Sequence, residues 1–429
     1  MVKKSLLIVT GFCLLLTGFL SSANAQKQRG FPVELSGEIK GAPFRIVVPE
    51  NWNGTLLVYA HGYRDKADHP GEVDNRNADV APNPAFEPLL LAQGYALAGT
   101  AYKDNGWAVE EGIHDLKNLV THFRGRVANP QKVIIWAFSM GTVIAFESME
   151  KFPDIYDGAL CGCAVGAGAT QAWDSSADLL LAYDTVFGMP ANWGNPGDIR
   201  DDIDAETEVF PKLLGEVSSP LNFPKFEFIR LVTGTPGRGI TPPANFYPTW
   251  IFTGMIFSTE YRSELERRAR GPVVQNLDRN YNLTAAERTY LNSIGVPNAV
   301  IDNWLLAMNG GRIYSAPAYS RNYVERNADY TGEIEKPVLT VHTLIDPLVV
   351  VSQEREYLET ITNAGRNQFL YQAYTNGNGH CSFTPQQLQA SLTAILNWVE
   401  NGVAPTPANF PAALGFLPPT FVPPPMNQP

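Results

Sequence analysis

Residues 133–146, VIIWAFSMGTVIAF, carry a β-branched and aromatic run straight into one serine, and a glycine two places on opens an apolar stretch with helical spacing. A chain that turns this abruptly from a buried strand into a buried helix has few folds open to it. The strand belongs inside a sheet covered on both faces, and the helix must pack back across that sheet. The turn lifts Ser139 above the end of the strand, and Gly141 lets the helix pass close by. A-F-S-M-G stands where the nucleophile-elbow pattern has G-x-S-x-G, with Ala137 in place of the first glycine. Ser and Gly are also ordinary turn formers, so a chemical role depends on what the rest of the chain supplies.

The same rhythm runs through the flanks. From Phe44 the β-rich stretches FRIVVPE, TLLVYAHG, YALAGTAYK, KVIIWAFS and YDGALCGCAV alternate with the helix-like PAFEPLLLAQG, VEEGIHDLKNLVTHF and MGTVIAFESMEKF. The alternation stops near Gly168. It resumes with PVLTVHTLIDP, SQEREYLETITNAG, FLYQAYT and QQLQASLTAILNWVENG. This predicts an α/β fold, a mostly parallel sheet with helices on both faces, built from residues 26–169 and 337–402.

Residues 170–336 read as a mainly helical cap inserted before the strand that carries Asp346. T-A-A-E at Thr284 to Glu287 marks a capped helix start there. The cap's aromatics, among them Trp173, Trp193, Phe226, Trp250 and Trp304, can either wall a substrate pocket or form the cap's own core. Residues 403–429 are proline-rich and are expected to run extended or flexible along the surface.

The first 25 residues join Lys3 and Lys4 to an apolar run and an A-N-A site ahead of Gln26, the pattern of a cleaved signal peptide. No later segment is long and apolar enough to predict a membrane span. The expectation is an exported bacterial protein, periplasmic or secreted. The formal net charge is −11, and cleavage removes two lysines, which disfavours nucleic acid or an anionic membrane as partner. The sequence does not set an oligomeric state. Cys161, Cys163 and Cys381 remain after cleavage, in a compartment where disulfides persist.

A serine hydroxyl needs a base to take its proton and an acid to orient that base, and after an elbow both follow in sequence. Of six histidines, His380 sits in the Gly-rich loop TNGNGHCSF after the last predicted strand. Asp346 falls at the C-terminal edge of VLTVHTLID, where open α/β sheets bind ligands. His342 in the same strand reads as packing. The oxyanion donors expected are the backbone N–H groups of Met140 and Tyr63, with Gly62 permitting the turn and His61 bracing the loop. Cys381 follows the histidine, and pairing with Cys161 would anchor that loop. There is no metal-ligand spacing, G-x-G-x-x-G or P-loop pattern, so neither cofactor nor metal is expected.

Through NWNGTLLVYAHGY, NGWAVEEGIHDL, WAFSMG, DGALCGCAVGAGA, PVLTVHTLIDPLVVV and GHCSFT, the chain resembles a family of secreted bacterial α/β-hydrolases of esterase or lipase-like type. The resemblance implies an α/β-hydrolase fold, Ser139 as nucleophile with His380 and Asp346, and the His61-Gly62 loop at the oxyanion hole. The chain is also distantly similar to the tannase and feruloyl esterase group, where a cysteine adjoins the catalytic histidine. In that group its partner precedes the nucleophile, a place Phe138 holds here.

These readings point to a serine hydrolase cleaving carboxylic esters, small or polymeric and bulky, apolar or aryl, through an acyl-enzyme. A serine peptidase on the same triad and a non-catalytic binding protein are the alternatives.

Overall fold

The computed structural model describes residues 30–236, 249–310 and 314–426; the expected signal peptide, residues 1–25, lies outside the described residues. Eight strands form the main sheet: β1 (Val33–Ile39), β2 (Ala42–Val48), β3 (Thr55–Ala60), β4 (Ala96–Thr100), β5 (Lys132–Phe138), β6 (Gly158–Gly162), β7 (Val338–Ile345) and β8 (Leu370–Asn378). Their spatial order is β1-β2-β4-β3-β5-β6-β7-β8. β2 pairs antiparallel with β1 and β4; from β4 onward every pairing is parallel.

Helix α1 (Phe86–Ala92) joins β3 to β4, α2 (Val109–Arg126) joins β4 to β5, and α3 (Met140–Lys151) joins β5 to β6. Strand order reverses between β3 and β5, so their C-terminal ends open a crevice at a topological switch point. The interior strands are apolar on both sides because both sides are covered. Leu56, Val58 and Ile135 pack with Leu116 of α2 and Val143 of α3. Leu57, Trp136 and Leu160 face the other way, towards Leu90 of α1. This strand order, with helices on both faces and a helix springing from the serine after β5, is the α/β-hydrolase fold.

Between β6 and β7 the chain runs through α4 (Ala169–Phe187), α5 (Phe210–Val217), α6 (Phe223–Thr233), α7 (Trp250–Ile256), α8 (Arg262–Ala269), α9 (Ala285–Ser293), α10 (Asn298–Gly310) and α11 (Ala318–Ala328). This region has its own apolar cluster, with Trp193, Phe226, Phe228, Trp250 and Met308 in it. Helix α4 serves both cores: Trp173 packs with the sheet's helices and Leu180 with the inserted ones. Polar ties hold the two together. Glu264 accepts the Trp107 N–H at 2.8 Å, and the Arg268 guanidinium donates to Asp104 and Glu111, at 3.1 and 3.2 Å. Thr284 and Glu287 form the capping box that starts α9.

After β7 come α12 (Gln353–Asn363), β8 and α13 (Pro385–Asn401). The proline-rich tail is more ordered than its composition suggests. Phe416 bridges Thr375 of β8, the Leu417 N–H donates to the Tyr374 carbonyl, and Phe410 and Phe416 are buried. β1 is a further element that the sequence reading, begun at Phe44, did not include.

Candidate active site

Three strand ends bring the chemistry together at the switch-point edge. Ser139 follows β5 at φ 55°, ψ −130°, a strained conformation for a residue with a Cβ. Its carbonyl accepts both the N–H (2.8 Å) and the hydroxyl (2.6 Å) of Thr142, and Thr142 Oγ1 in turn accepts the Val165 N–H. The surroundings therefore hold the turn in place. Ala137, which stands where the elbow pattern has its first glycine, lies fully buried in the core.

His380 lies between β8 and α13, and the capping box of Thr384 and Gln387 with Pro385 at the first helical turn fixes the start of α13. Its Nε2 stands 2.7 Å from Ser139 Oγ, and its Nδ1 is 2.8 and 3.1 Å from the two Asp346 oxygens. Asp346, just past β7, is fully buried and also accepts the N–H groups of Leu348 and Val349, each at 2.9 Å. Burial alone would push its carboxyl up, yet the charge and hydrogen bond of His380 outweigh it and hold the pKa below the usual range. An ionised Asp346 assigns the imidazole proton to Nδ1, leaving Nε2 to accept from the serine hydroxyl.

The loop after β3 passes directly over the serine. A Cβ on Gly62 would lie 3.1 Å from the Ser139 Cβ, a tight contact that the serine would have to yield to by a few tenths of an ångström. Tyr63, the next residue, shares a cavity wall with Ser139. Met140 opens α3, and the N–H groups of a first helical turn have no partner within the helix. The His61 ring stacks on Tyr102 at 3.9 Å, and its Nδ1 lies 2.7 Å from the Gly62 carbonyl. Burial, then the charge of Arg64, pushes its pKa down to about 3. His61 is a neutral brace. His342 is likewise buried, with its pKa lowered chiefly by burial.

The expected Cys161–Cys381 pairing is corrected: the disulfide joins Cys163 to Cys381, with Cα atoms 5.2 Å apart, and Cys161 is free and buried. Cys163 lies one residue beyond β6 at φ 48°. That turn carries it out of the strand's alternation, into the cluster on the α13 side, while Cys161 stays on the face packed by α3 and α12. Burial, with Glu354 nearby, pushes the Cys161 thiol well up. Cys163, Cys381 and His380 form a close trio of donor atoms, but both sulfurs are spent on each other and leave no thiolate for a metal.

A cavity of about 490 Å³ opens at Ser139 and His380, walled by Tyr59, Phe86, Phe138 and Phe383. These aromatics come from the sheet and its connections. Among the described residues, most of the inserted region's large aromatics fill its own core, and Tyr261 is the one it sends to this wall. Tyr261 sits in a single π-helical turn, Phe257–Tyr261, and its ring stacks on Tyr63 at 4.2 Å. Nothing in the sequence pattern distinguishes it from its neighbours.

No family model matches the chain. An o-phthalyl amidase from Xanthobacter agilis is similar, 22% identical over 90% of this chain and 91% of its own. Among solved structures, feruloyl esterase B from Aspergillus oryzae matches with a TM-score of 0.44 and 14% identity, over 88% of this chain and 86% of that one. A further esterase from Aspergillus oryzae matches with a TM-score of 0.43 and 14% identity, over 87% and 80%.

Proposed function

We propose that the chain is a serine hydrolase that cleaves carboxylic esters, bulky and apolar or aryl, through an acyl-enzyme. The observation that carries this reading is the line from Asp346 through His380 to Ser139, with spacings of 2.8 and 2.7 Å, ending on a serine at positive φ. Ser139 Oγ attacks the ester carbonyl while His380 Nε2 takes its proton, and the Met140 and Tyr63 N–H groups hold the oxyanion. The imidazolium then protonates the departing alkoxide, and Asp346 stabilises its charge. Water, deprotonated by the same imidazole, attacks the acyl-serine and releases the acid.

Export is part of the proposal, supported by the leader pattern ahead of Gln26 and by the disulfide beside His380.

The test is hydrolysis of nitrophenyl esters by the protein beside Ser139→Ala, with a loss on the order of 10⁴-fold expected. Equal rates would leave the binding-protein reading.

Similarity to the o-phthalyl amidase favours a second reading, amide cleavage on the same residues. A peptidase would also need acids to hold a substrate amine. In the acidic run from Asp198 to Asp204, Asp204 caps the helical turn after it and Asp202 pairs with Arg200. Anilides cleaved at rates rivalling the matching esters would favour the amide reading.

A further inference from the structure

Two cavities of very different size meet at Ser139. The first is the chamber of about 490 Å³ that has His380 in its wall. The second holds about 30 Å³, is almost wholly apolar, and is enclosed by Trp107, Met140, Val165, Ala172 and Phe257 without touching His380. Tyr63, Tyr261 and Leu348 border both and form the partition. The Tyr63–Tyr261 stack, with ring centroids 4.2 Å apart, braces it.

The chemistry decides which half of a substrate enters which cavity. This step rests on Ser139 and His380 acting as proposed above. The leaving oxygen must come within reach of His380 Nε2 to be protonated, so the alcohol lies in the chamber that His380 lines. The acyl substituent then points the other way, past the Met140 amide. A space of 30 Å³ takes about two water-sized groups. That admits the chain of an acetyl or propionyl group and stops a longer one.

The alcohol side continues outward. Phe86 and Pro385 line the large chamber and also a surface groove of about 490 Å³ between α1 and α13. Among the described residues no charged side chain lines that groove, and Leu89 within it is 53% exposed. Its continuity with the chamber makes the far end of the same alcohol its occupant. We propose that the substrate is an ester of a short acyl group, two or three carbons long, with an elongated, uncharged, apolar or aromatic alcohol.

The experiment crosses two ester series, nitrophenyl esters of lengthening acyl chains and acetates of ethyl, benzyl, naphthyl and dodecyl alcohols. A serine-directed fluorophosphonate probe reports on Ser139 in parallel. From acetyl to octanoyl, kcat/KM should fall about 100-fold or more, since a closed pocket rejects added methylenes. Along the acetates KM should fall. Phe257→Ala should raise the hexanoyl rate relative to acetyl, with Phe257→Leu serving if the alanine variant fails to fold. Leu89→Asp should raise KM for dodecyl acetate about tenfold relative to that for ethyl acetate. Octanoyl cleaved as well as acetyl, with Ser139 labelled, overturns this inference and leaves the proposed function standing. No hydrolysis and no labelling of Ser139 overturns both.

Discussion

Gly141 brings α3 so close to β3 that a Cβ on it would lie 2.2 Å from the carbonyl oxygen of Ala60. That oxygen belongs to backbone, so relief would require moving the helix or the strand. Gly141→Ala is therefore expected to cost about 1–3 kcal/mol or more, as overpacking does, and to displace Ser139 from His380. Thermal unfolding beside ester hydrolysis reads both; a variant as stable and active as the wild type would show that α3 can shift freely.

Asp346→Asn keeps an oxygen to accept the Leu348 and Val349 N–H groups but can no longer hold the imidazole proton on Nδ1. The expected result is a fall in kcat of about 10⁴-fold with little change in thermal stability. Kinetics and calorimetry on the same preparation separate this from unfolding.

The disulfide spans a sequence separation of 218 residues and lies beside His380. Its removal by Cys163→Ser or Cys381→Ser should cost about 2–5 kcal/mol, and each should lower activity by loosening the histidine loop. Cys161→Ser should leave the disulfide intact. Peptide mapping that recovered Cys161 linked to Cys381 would reverse this expectation.

Glu354 is buried under β7, its carboxylate accepting from the Thr340 hydroxyl (2.5 Å) and the Gln372 amide (2.6 Å), and burial pushes its pKa up to about 7. Between about pH 4.5 and 7 the folded chain keeps a proton there that the unfolded chain has released. This contribution is fully present below pH 4.5 and is lost as pH rises through 7, about 3 kcal/mol in all. Glu354→Gln should flatten that fall in stability, measured by denaturant unfolding at pH 5 and pH 8. An unchanged pH slope in the variant would place the titration elsewhere.

That Ser139, Asp346 and His380 would lie together was legible because each sits where a strand pattern stops: after KVIIWAF, after VLTVHTLI and in the Gly-rich loop after the last strand. Period and turn chemistry are local, and they locate strand ends well. The cysteine pairing was not legible in this way. Cys161 and Cys163 differ by the two residues that normally share a face, and the positive φ of Cys163 that separates them is a tertiary outcome. The walls of the cavity at Ser139 were hidden for a similar reason. An aromatic residue such as Tyr261 looks the same in sequence whether it fills a core, as Trp250 does, or borders a cavity. Proline content in the tail masked the two phenylalanines that bind it to β8.

That tail has a consequence for the order in which the molecule is completed. β8 is the last strand of the main sheet, and an uncovered edge strand invites pairing with another chain. Here the cover comes from residues 415–417, beyond the last helix. A chain growing from its N-terminus has every other part of the sheet before it has this cover. The protein closes this edge last, and a chain cut short after α13 would lack the cover and leave β8 as a strand for its neighbours to join.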